Sequence, residues 1–168
     1  MSYELAMPAS PDPAFRSRRA ERLVGLGFRY WLTGFRTGDL SCWERAWKTY
    51  AQALGPTGAK SALTDLSCWV RTIDRNSCRR LETAAVDCDQ FCRDECVAIA
   101  MIAACQHNVC PAMRACAFSL LGCSVIEDVV RGAETFATTM REAEQVLLPS
   151  SAATQALVAI PADTSVVH

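Results

Sequence analysis

The chain has 168 residues, enough for one domain with a substantial core, and its 51% apolar and 8% aromatic content suits a packed globule rather than a disordered chain. Seventeen basic and eighteen acidic side chains leave a net charge of −1, which argues against a dominant electrostatic footprint for nucleic acid or an anionic membrane. The opening MSYELAMPASPDPAF lacks the regions of a secretory signal, and the longest apolar run, residues 97–105, falls far short of the ~20 residues that span a bilayer. The expected compartment is the cytoplasm, where the ten cysteines stay reduced thiols or metal ligands rather than a disulfide framework.

Residues 1–13 carry three prolines and no periodicity, and they are expected to form a flexible arm. Helical spacing then runs over residues 14–35 through Ala20, Leu23, Val24, Phe28, Trp31 and Phe35, with Asp12 and Pro13 as N-cap and first-turn pair. Thr37-Gly38-Asp39 breaks it. Leu40, Trp43, Trp47, Tyr50 and Leu54 mark a second helix, with Ser41 and Glu44 matching a capping box and Gly55-Pro56 as the stop. A third helix covers residues 59–75, with Ala62, Leu66, Trp69, Val70 and Ile73 on one stripe.

The segment Asp39-Leu40-Ser41-Cys42-Trp43 is echoed 26 residues later by Asp65-Leu66-Ser67-Cys68-Trp69, too few copies for a solenoid. Asp87 caps a predicted fourth helix from Cys88 to His107. A fifth follows over residues 111–131, and beyond Gly132 a sixth over 133–148, before a Ser/Ala/Thr-rich mobile tail at 149–168. The fold expected is all-α: one domain over residues 14–148, built as a bundle of about six helices.

Chemistry, if present, lies with the cysteines. On a helix beginning at Cys88, the residues Cys88, Cys92 and Cys96 fall at i, i+4 and i+8, on one stripe. Cys105 and Cys110 flank a turn that contains His107, and Cys116 and Cys123 sit seven apart on the following helix. Thiolates so placed can line a helix seam and suit Cu(I), a soft ion content with two or three sulfurs. The stripe Cys88-x3-Cys92-x3-Cys96 resembles the four-helix-bundle copper storage proteins, whose cores are lined by Cys-x3-Cys pairs. That resemblance, over one helix, implies Cu(I) bound in a bundle. Those proteins place such pairs on several helices, whereas Cys42, Cys68 and Cys78 stand alone here.

Other metal patterns fit less well. The chain lacks the Cys-x2-Cys knuckles of structural zinc, and an iron–sulfur cluster on Cys105, Cys110, Cys116 and a further thiol matches no usual spacing. Plain packing is the competing account, because free cysteine behaves as a small hydrophobe and the stripe continues into Ile99, Ile102 and Ala103. Cys42 and Cys68 lie off their helices' apolar stripes. Glu95 points near the Cys88 face, where a carboxylate serves as ligand, general base or helix-end partner. His107 reads first as a helix-end cap, and the tryptophans read as core.

No phosphate loop, nucleophile elbow or metal-binding His pair is present, so no complete catalytic motif supports an enzyme. The first functional reading is a non-catalytic protein holding Cu(I), another soft metal or an iron–sulfur cluster through Cys88, Cys92, Cys96, Cys105, Cys110, Cys116 and Cys123. The second is a structural or adaptor protein that binds a partner chain or a second copy, with cysteines as core filling. A cofactor-dependent or thiol-redox enzyme is third.

Overall fold

The computed structural model of the protein describes residues 12–149, and these contain five helices and no strand. The expected arm and tail lie outside the described residues, apart from Asp12, Pro13 and Pro149. No helix among the described residues is long and apolar enough to cross a membrane.

Helix α1 (Pro13–Thr37) starts where Asp12 accepts a hydrogen bond from the Ala14 amide at 3.2 Å. It ends at Gly38, whose φ of 70° is the left-handed conformation that closes a last helical turn. Helix α2 (Leu40–Asn76) is capped by Asp39, which accepts from the Ser41 amide at 2.9 Å. The helix thus starts slightly earlier than the Ser41–Glu44 capping box, at Asp39, a start that the sequence also allows.

The two helices expected either side of Gly55-Pro56 are two limbs of α2. Gly55, at φ 74° and ψ 169°, bends the chain, and Pro56, which has no amide hydrogen to donate, sits inside the bend. The break stands where expected: the backbone of Gly55 is not helical, and two helical limbs meet there across a kink.

Helix α3 (Arg93–Gln106) begins five residues later than the spacing suggested. Helix α4 (Cys110–Leu121) stops at Gly122, φ 66°, and so falls short of Arg131. Helix α5 (Glu127–Glu142) then runs straight through Gly132, which was expected to interrupt it. Gly132 lies against Trp69, where a Cβ would come within 3.2 Å of the indole.

One hydrophobic cluster draws on all five helices. At its centre the buried Trp69 ring lies 6.1 Å from Phe28 and 5.9 Å from Phe136, joining α1, α2 and α5. Trp31 and Trp43 make a half-buried aromatic group with Phe35, whereas Trp47 is 44% exposed and so is not a core residue.

Candidate functional site

The late start of α3 has a local cause. Arg29 is fully buried in α1 and uses its guanidinium on the segment between α2 and α3. It donates to both carboxylate oxygens of Glu95 (2.7 and 2.9 Å) and to the backbone oxygens of Ala85, Cys88 and Gln90. Carbonyls turned toward Arg29 are not available to a helix ladder. Glu95 in turn accepts from the amides of Ala84 and Cys92, the latter closing the first turn of α3. The buried charges are paired and their hydrogen-bonding capacity is used.

Two further clasps hold the same segment. Asp94 receives Arg79 and the Glu82 amide, and Arg36 donates to the Leu81 carbonyl at 2.6 Å. Glu95 is thus committed to Arg29 and is no general base or metal ligand.

The cysteines expected on one stripe do not share one. Cys88 is exposed in the connecting segment, Cys92 is the N-cap of α3 with its thiol 3.3 Å from the Glu82 carbonyl, and only Cys96 lies within the helix. Burial raises the thiol pKa of both Cys92 and Cys96.

Farther on, Cys105 and Cys116 are buried, and desolvation pushes their thiols up to about 12 and about 11; Cys110 is exposed. His107 caps α3 and its Nε2 lies 2.7 Å from the Leu147 carbonyl, the helix-end role expected of it. Cys42 is buried and Cys68 exposed, so the echoed pentapeptides sit in different surroundings. Among the described residues no three His, Cys, Asp or Glu side chains converge as a metal-holding group.

A pair does converge. Cys78 and Cys123 each lie two residues beyond the end of a helix, α2 at Asn76 and α4 at Leu121. Their sulfurs approach the same Asn76 carbonyl oxygen, at 3.9 and 3.7 Å. The backbone fixes this meeting: the Cys78 amide donates to the Leu121 carbonyl at 2.8 Å, Ser77 Oγ to Leu120, and Arg79 Nε to Ser119 at 2.9 Å. A hydrogen bond to Cys123 holds the Cys78 thiol above its ordinary pKa, and burial adds to it.

No family model, no curated protein and no solved structure matches the chain.

Cys78 was missed because it lies 45 residues from Cys123 and outside any cysteine spacing pattern. The local signal was Gly122, whose left-handed conformation ends α4 and places Cys123 just past a helix terminus, as Cys78 is.

The electrostatics of the pair are specific. Two helix C-termini meet here, each presenting carbonyl oxygens and the negative end of its macrodipole. Such a place disfavours an isolated thiolate and favours a cation. It is therefore a poor setting for a nucleophilic cysteine, which needs a depressed pKa.

Proposed function

We propose that the protein is a non-catalytic binder of a soft cation, Cu(I), held between the thiolates of Cys78 and Cys123. The observation that carries this reading is the convergence of these two accessible thiols on one carbonyl at the junction of two helix C-termini. On binding, both thiols release their protons, two sulfur–copper bonds form, and no electron is transferred. Cu(I) is satisfied by two soft ligands, and the two thiolates more than neutralise its charge, so the sulfur–copper bonds and not the helix ends hold it. An iron–sulfur cluster takes four protein ligands, and this pair supplies two. The reading assumes a reducing compartment such as the cytoplasm, where the pair stays open.

Reduced protein handled without oxygen should compete with a chromogenic Cu(I) chelator for about one equivalent of copper. Changing Cys78 and Cys123 together to serine should remove that competition, while a Cys88→Ser, Cys92→Ser, Cys96→Ser triple variant should keep it. Wild-type protein that fails to compete, or a pair variant that competes as well as wild type, would overturn the proposal.

A further inference from the structure

A second feature lies away from the thiols. The open groove between α1 and the first limb of α2 has a volume of about 630 Å³. Its floor is apolar, with the buried Leu23 and Tyr30 beside Leu26 and Ala53, and exposed Phe15 and three arginines complete its lining. No carboxylate lines it.

Six arginines elsewhere, Arg29, Arg36, Arg45, Arg79, Arg114 and Arg131, face acidic partners. Among the described residues Arg18 and Arg22 enter no ion pair, and Arg19 reaches only the Ala53 carbonyl, at 3.3 Å. Phe15 is 61% exposed at the end of the groove, an apolar ring left in water beside three unneutralised charges.

The lining residues of α1 recur at helical spacing from Phe15 to Tyr30, which is about 22 Å of groove at 1.5 Å per residue. That is a length for about four turns of a second helix, and it lies open along its length instead of closing over a small molecule.

We propose that this groove receives an acidic amphipathic helix from a partner protein, with carboxylates against Arg18, Arg19 and Arg22 and apolar side chains against Phe15 and Leu26. Charge complementarity decides the choice of partner. A basic or neutral helix would leave the guanidiniums unpaired in the interface, a cost that an acidic one removes. Planar guanidiniums can each take a carboxylate in two-pronged fashion, which fixes the register of the incoming helix. This inference is independent of the copper reading.

The test uses full-length protein and a fluorescent helical peptide of about 16 residues with leucine on one face and glutamate on the other. The wild-type protein should bind it, and the Arg18→Glu, Arg22→Glu variant should bind it at least about tenfold more weakly while gaining affinity for the lysine counterpart. A far-ultraviolet dichroism spectrum matching wild type would show that the variant is folded. Binding that is unchanged by the double reversal, or equal for a scrambled peptide, overturns the proposal. So does failure to bind the peptide together with capture by anionic vesicles, or a dimer lost in the same variant, which would assign the groove to a lipid surface or to a second copy. The Cys78→Ser, Cys123→Ser variant should bind the peptide as wild type does.

Discussion

Arg29 and Glu95 between them bond to the backbone of Ala84, Ala85, Cys88, Gln90 and Cys92 and so set the conformation of the segment before α3. Removing one partner leaves the other charged and out of water. Glu95→Gln is expected to cost about 3–5 kcal/mol in chemical denaturation, whereas Arg29→Met with Glu95→Leu should cost less than either single change. A near-neutral Glu95→Gln would mean that the segment is held by packing alone.

Thiol reactivity gives a second check at this scale. Cys68 is exposed, while Cys92 is half-buried with its pKa raised by desolvation, so Cys68 should be alkylated faster in native protein. Equal rates across several pH values would contradict this. The helical wheel puts Cys68 off its helix's apolar stripe, either exposed or covered by a second helix, with covering slightly favoured; Cys68 is exposed. The same wheel argument left Cys42 open to burial by a neighbour, and Cys42 is buried. A wheel describes one helix and cannot tell which side a second helix covers.

At the scale of elements, α1 and α2 cross where Gly27 has no side chain. A Cβ there would lie 2.5 Å from Tyr50 Oη and 2.6 Å from Leu66 Cδ2, and Tyr50 is pinned by its hydrogen bond to the Leu23 carbonyl at 2.8 Å. Gly27→Ala is therefore expected to destabilise by about 1–3 kcal/mol, read as a lower denaturation midpoint with an unchanged slope. An unchanged midpoint would mean that the crossing yields without cost.

The helices with local stop signals were legible: Gly38 ended α1, and Gly55-Pro56 broke the helical backbone at the expected stop. The two misplaced boundaries have non-local causes. The residues from Cys88 to Gln90 could join α3 in isolation, but their carbonyls serve an arginine about 60 positions earlier. Apolar periodicity ran past Gly122 because the side chains on either side of it suit a helix, while the left-handed Gly122 ends it and turns the chain toward Cys78.

At the scale of the whole molecule, the helices of the described residues close one core, and two features lie at its edge: a thiol pair where α2 and α4 end, and a cationic groove beside α1. The all-helical class followed from apolar spacing, but the pair depended on tertiary structure that no cysteine spacing encodes. Because copper displaces protons from both thiols, and that of Cys78 is held above its ordinary pKa, affinity should rise with pH between about 7 and about 9. Competition titrations at several pH values read this directly, and a flat profile would mean that thiolates are not the ligands.

The most direct measurement is X-ray absorption at the copper edge on reduced protein loaded with one equivalent of Cu(I). Two sulfur neighbours in a near-linear arrangement, lost when Cys78 and Cys123 are serine, is the expected result. A copper centre with three or more sulfurs or a nitrogen ligand, or an unchanged spectrum in the serine variant, would contradict the assignment of the site to Cys78 and Cys123.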